Sequence, residues 1–178
     1  MIVRSLTVLA AATALTATAA MAPAAAKKPE VPGSQSSVKG TTTLMFTKSV
    51  KKKLAKDGIL VKAVAPAKKR NAVKFTFPAK QAEPGIITHT GGLSFVRADA
   101  GLTLTDFVFD LENGTVDATV PGTGPLEDVL DVAKVKITKK QVTAKLNVSM
   151  GKAAVLNDAL KTTMFSDGMY LAKAATRF

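Results

Sequence analysis

The sequence has 178 residues, with 25 Lys and Arg, 13 Asp and Glu, one His and no Cys. That length fits one domain around a single core. Zero Cys excludes a disulfide scaffold, thiolate zinc or iron–sulfur sites and thiol catalysis. A single His excludes His-cluster metal sites and the HExxH pattern.

The chain opens with Arg4, an apolar Ala/Thr/Leu run from Leu6 to Ala20, and small residues at Ala24-Ala25-Ala26. This is the pattern of a secretory signal peptide, residues 1–26, cleaved before Lys27. The run is too short and too rich in Ala and Thr for a spanning helix. Residues 27–39 (KKPEVPGSQSSVK) read as a flexible linker, and order is expected from Gly40. Residues 40–178 then form a single β-rich domain.

Thr42–Phe46 is a β-rich run. Thr47 is placed to cap a helix over Lys48–Lys56, with Val50 and Leu54 inward, and Asp57-Gly58 ends it. Ile59–Val64 reads as a strand, Pro66–Arg70 as a basic turn, and Ala72–Phe77 as a half-buried strand. Lys80–Pro84 is a connection. Ile86–His89 and Leu93–Arg97 flank Gly91-Gly92 as in a hairpin. In the next strand the apolar positions move from Leu102 and Leu104 to Phe107 and Phe109, which predicts a bulge near Thr105-Asp106. Asn113-Gly114 before Thr115–Val120 is the strongest hairpin signal in the chain. Pro121–Pro125 is a loop and Val129–Lys134 is ambiguous. Val135–Thr138 and Val142–Val148 are strands joined at Lys139-Lys140. Ser149 caps a second helix over Gly151–Leu160, with Ala154, Val155, Ala159 and Leu156 or Leu160 inward, and Met169–Thr176 is the last strand. The fold class expected is mainly β: an antiparallel β-sandwich or partly open barrel with two short α-helices.

Charge is segregated along the chain. Residues 27–97 carry a net +12, residues 98–131 a net −8 with no Lys or Arg, and residues 132–178 a net +7. The outer segments either pair with the middle one or form a basic face for an anionic partner. An anionic cell-envelope polymer suits an exported basic protein. Nucleic acid does not, because stacking aromatics are scarce: no Trp and one Tyr.

Two segments share one plan. Leu44–Thr47, Leu54 and Asp57-Gly58-Ile59 match Leu146–Ser149, Leu156 and Asp167-Gly168-Met169 as strand, hydroxyl cap, helix, Asp-Gly stop and strand. This repeat, with the strand order between its copies, resembles actinobacterial secreted proteins with HtaA-type domains, a family of haem-binding surface modules. The matching stretches are Gly40–Val64, Gly92–Val120 and Leu156–Ala174. The resemblance implies a β-rich fold with two helices, export and a role at the cell envelope. In that family a Tyr on the first helix binds the iron, helped by a His on a strand. The corresponding positions here are Leu54 or a neighbouring Lys, and Arg97 to Asp99, so the ligand positions are not matched.

No catalytic residue and no metal-ligand set is expected. GxSxG, P-loop and dinucleotide motifs are absent from the sequence. Tyr170 and His89 are the candidate cofactor-binding residues, since a phenolate or an imidazole can hold haem iron. Asp106, Asp110, Glu112 and Asp117 are oxygen donors of the kind Ca²⁺ takes, without an EF-hand-like loop. The reading is an exported, non-enzymatic HtaA-like binding module of unidentified ligand. The alternatives are a haem-binding protein of haem-iron uptake and an unrecognised secreted hydrolase. N-terminal sequencing of protein recovered from medium or envelope is expected to begin at Lys27; an intact Met1 in the cytosol is the contrary result.

Overall fold

The computed structural model describes residues 38–178. The expected signal peptide and nearly all of the linker lie outside the described residues. Strand β1 (Val38–Phe46) begins two residues ahead of Gly40. It runs through Thr47 into helix α1 (Lys48–Lys56). Thr47 Oγ1 accepts a hydrogen bond from the Val50 amide at 3.1 Å, filling one of the unpaired donors of the first turn. Val50 and Leu54 are one turn apart and buried, Lys51 and Lys52 between them face water, and half-buried Lys53 donates to the Met164 carbonyl at 3.2 Å. Gly58 adopts φ +67°, which lets the chain leave the helix.

Strand β2 (Leu60–Val64) and the two-residue β3 (Lys68–Lys69) follow, then β4 (Lys74–Glu83). The expected connection at Lys80–Pro84 is therefore mostly strand. The remaining elements are β5 (Ile86–His89), β6 (Gly92–Arg97), β7 (Ala100–Asp110), β8 (Thr115–Val120), β9 (Gly124–Thr138), β10 (Gln141–Val148), α2 (Lys152–Leu160) and β11 (Tyr170–Arg177).

Eight strands close on themselves in the order β7-β5-β4-β1-β11-β10-β9-β8 and back to β7. Every pairing is antiparallel. The fold is thus a closed barrel rather than a sandwich or an open one. The β7–β8 hairpin at Asn113-Gly114 pairs Asp110 with Thr115 and Phe109 with Val116, joining the free edges of β7 and β8 that an open sheet would leave. β6 and β2 extend outward from the first half of β7, and β3 pairs with β4.

Gly91-Gly92 is not a hairpin. β5 and β6 both lie along the same edge of β7, at Thr88↔Val108 and Gly92↔Thr105. The two glycines carry the chain between them where there is no room for a side chain. A Cβ on Gly92 would meet the Leu104 carbonyl, and Gly91, at φ +80°, would place one 2.6 Å from the Val64 carbonyl.

β7 carries the expected bulge. Its register on β8 shifts between Thr105 and Val108, and Asp106 has φ +50°. Before the shift Leu102 and Leu104 face the interior; after it Phe107 and Phe109 do. The interior is built from such residues of every barrel strand, with aromatic pairs packed edge to face: Phe46–Phe75 and Phe77–Phe107, each at 5.8 Å.

Helix α2 departs from expectation at its start. Ser149 does not cap it; its hydroxyl donates to Asp131 at 2.6 Å. The cap position is Gly151, in the left-handed conformation, and the Asp167 carboxylate accepts from the Ala153 amide instead. The later start rotates the inner face. Ala153, Leu156 and Leu160 are buried, and Ala154 and Val155 face solvent. The repeat holds through both helices but not to its end. β10 and β11 pair with each other around α2, whereas β1 and β2 pair with different strands.

Leu54 is 6% exposed and Leu156 4%. Truncating either to Ala is expected to cost about 2–5 kcal/mol in denaturant unfolding, and Lys51→Ala no more than about 0.5 kcal/mol.

Candidate functional site

The lumen of the barrel holds the only His. His89 is 4% exposed, and both its ring nitrogens are engaged. Nδ1 lies 2.9 Å from the Phe107 carbonyl, which can only accept, so the ring proton is on Nδ1. Nε2 is then an acceptor, and the Thr42 hydroxyl donates to it at 2.7 Å. Thr42 in turn accepts from Thr176 at 2.7 Å. One directed chain of hydrogen bonds therefore crosses the lumen from β11 through β1 and β5 to β7. The bulge presents the Phe107 carbonyl that ends it.

Beside this chain is a void of about 50 Å³, lined by apolar side chains apart from Thr42 and His89. Ordinary small-molecule sites run to roughly 300–1,000 Å³. No lining residue but His89 is ionisable, so nothing offsets the cost of charging the imidazole there. Burial lowers the His89 pKa to about 4, against a small opposing effect of the Phe107 carbonyl.

A second, open cleft of about 410 Å³ lies where α1, β6 and α2 end, among Lys56, Asp57, Arg97, Lys161, Thr162 and Thr163. These are the neighbourhoods that the resemblance pairs as ligand positions. Leu54 itself points into the core. The Arg97 guanidinium donates to the Leu160 and Lys161 carbonyls, capping α2 with a cation. Asp99 binds both Arg97, at 3.7 Å, and Lys161, at 3.6 Å. The Thr162 hydroxyl donates to Asp57, tying the two helix ends together. The cleft is a polar clasp, and its lining has no Tyr, His, Met or Cys.

Tyr170 is far from His89 along the barrel. It stands at the start of β11, 38% exposed, with the Lys145 ammonium 5.0 Å from its ring centroid. The structure does not bring these two candidates together. Nor does it gather Asp106, Asp110, Glu112 and Asp117: no group of three or more potential metal-ligating side chains occurs among the described residues. Asp110 instead closes the hairpin, accepting from the Glu112 and Asn113 amides, and the Asn113 bonds hold its carboxyl below the usual range.

The outer surface carries a feature that strand pairing alone reveals. One row across the barrel reads Lys74, Met45, Lys173, Lys145 and Ala133. The next reads Lys68, Thr76, Thr43, Ala175, Thr143 and Lys136. The third is Pro78, Thr41, Arg177, Gln141 and Thr138, and the fourth joins Thr88, Lys80 and Lys39. These four rows hold eight Lys and Arg and no Asp or Glu. The acids of residues 98–131 lie instead on β7, β8, the first part of β9 and the turns before and after β7. Bases from both outer segments of the sequence thus meet on one wall of the barrel, while other lysines of those segments lie on α1 and in the loops. Among the described residues only two ion pairs form, both on Asp99, and neither involves the wall.

No protein-family model and no curated protein sequence matches the chain. Solved structures share its architecture, that of a β-barrel module with two helices. The chain resembles the C-terminal domain of HtaA from Corynebacterium glutamicum, with a TM-score of 0.53 and 11% identity over 79% of this chain and 98% of that one. It also resembles the haem-binding protein HtaB of the same organism, with a TM-score of 0.53 and 12% identity over 79% of this chain and 94% of that one. At such identities the likeness is one of fold.

The pH dependence of stability follows from His89. Unfolded, its pKa is that of a free imidazole; folded, it is about 4. Stability is complete above the unfolded value and falls as pH drops toward 4, because only the unfolded chain takes the proton readily. The loss is expected to reach about 3 kcal/mol near pH 4, read as a falling denaturant midpoint. In His89→Gln that His-linked fall between pH 6.5 and 4 is expected to disappear.

Proposed function

We propose that the chain is an exported, non-enzymatic HtaA-like binding module that meets its ligand on the outside of the barrel. The observation that carries this reading is the lumen. It is filled by core side chains, its one imidazole has both nitrogens committed, and its void is far too small for a porphyrin. The likeness to HtaB, whose structure is described as that of a haem-binding protein, supports a binding role over catalysis. Haem itself does not fit the residues present. The cleft that joins the helix ends has no Tyr, His, Met or Cys to hold iron axially, and Leu54 turns away from it.

A second reading rests on one specific observation. The Tyr170 hydroxyl is exposed and has no hydrogen-bond partner among the described residues, so a phenolate ligand for haem iron is at least present on the surface. Titrating the purified protein with haemin separates the two. The expected visible spectrum is that of free haemin with the protein added, unchanged by Tyr170→Phe. A saturable Soret shift that Tyr170→Phe removes overturns the main reading.

A further inference from the structure

We infer that the basic wall is the docking surface for a linear phosphodiester polymer of the poly(glycerol phosphate) type. This rests on the reading above, that the ligand is met outside the barrel, and names the surface and its partner. The chemistry is complementary. Neighbouring strands are about 4.8 Å apart, and successive outward residues on one strand about 6.8 Å apart. Lys173 and Lys145 are direct neighbours on adjoining strands, with Lys74 one strand beyond Met45. Arg177 lies two rows along β11 from Lys173. Flexible ammonium groups on this lattice can follow a chain of closely spaced phosphates and displace its counterions.

Three competing occupants fit less well. A lipid surface is flat, whereas the wall is the convex outside of a barrel, so a plane touches few strands at once. A flexible polymer wraps it. The wall also has little to insert into a bilayer: Met45 is the one large apolar side chain within its four rows. Single-stranded nucleic acid needs a series of stacking platforms; the four rows contain no aromatic residue, and Tyr170 beside them has the Lys145 ammonium 5.0 Å from its ring centroid. A second copy of the chain would offer its acidic side. Several of those carboxylates are already used at home: Asp110 in the hairpin, Asp117 on the Asp128 amide and Asp131 on Ser149. The wall's bases have no ion-pair partner among the described residues.

The test is binding of the purified protein to poly(glycerol phosphate), measured by calorimetry or fluorescence polarisation at about 0.1 M salt. Affinity is expected to fall steeply with added salt. The double variant Lys145→Gln/Lys173→Gln is expected to weaken binding about tenfold. Lys51→Gln/Lys52→Gln, on the exposed side of α1 and with the same loss of charge, is expected to change it less than about twofold. Circular dichroism checks that both variants fold. Equal loss in the two variants overturns the wall as the site and leaves the outside-binding reading standing. Tighter binding to single-stranded DNA or to anionic vesicles than to the polymer, or salt-dependent self-association in its place, overturns the assigned partner. Absence of polymer binding overturns the inference altogether, while the haemin titration still decides the reading beneath it.

Discussion

The bulge in β7 is the constraint around which the rest is arranged. β7 is asked to do three things: pair β6 with its first half, pair β5 with its second, and close the ring against β8 on its other edge. A regular strand would turn Phe107 and Phe109 to solvent if Leu102 and Leu104 faced in, because the side-chain period is two. The extra residue at Asp106, in a left-handed conformation, resets that period. Its amide also donates to the Gly91 carbonyl at 3.0 Å, which fixes where β5 gives way to β6. With the strand bent there, the Phe107 carbonyl meets His89, and the polar chain to Thr176 ties four strands together across an otherwise apolar lumen.

Much of this was legible in the sequence where the signal is local. The Thr47 cap, the Asn113-Gly114 turn, the Lys139-Lys140 turn and the bulge each depend on a few adjacent residues, and each lies where the pattern put it. What failed was set by long-range geometry. Ser149 has the right chemistry for a cap, but Asp131, eighteen residues earlier, claims its hydroxyl. Gly91-Gly92 has the composition of a hairpin, but the tightness of the Leu104 and Val64 backbones is what requires it. Closure of the barrel depends on strands distant in sequence finding a common ring, and periodicity does not report that. His89, between Thr88 and Thr90, carries no local sign of its burial. Its partner Thr42 is 47 residues away, and Thr176, which donates to Thr42, is 134 residues from Thr42.

The charge pattern shows the same division. Its existence is plain in the sequence, but its meaning needs the register. Blocks of opposite sign could have folded against each other and neutralised. Instead β1, β4, β10 and β11 are neighbours, so bases from both ends of the sequence are pooled on one side. The neighbourhood that the resemblance marks for iron is a clasp in which Arg97 serves a helix end and Asp99 pairs with it.

The pairing of the first described strand with the last has a consequence for when the molecule can exist at all. β11 fills the space between β1 and β10, matching Thr41 with Arg177 on one side and Gln141 with Arg177 on the other. Until the final eight residues of sheet have left the ribosome, β1 and β10 each keep a bare edge and the ring has a gap. The most local contacts form early, but the closing ones span almost the whole described chain and come last. A nascent chain of this kind stays open, and so threadable, until β11 has been made.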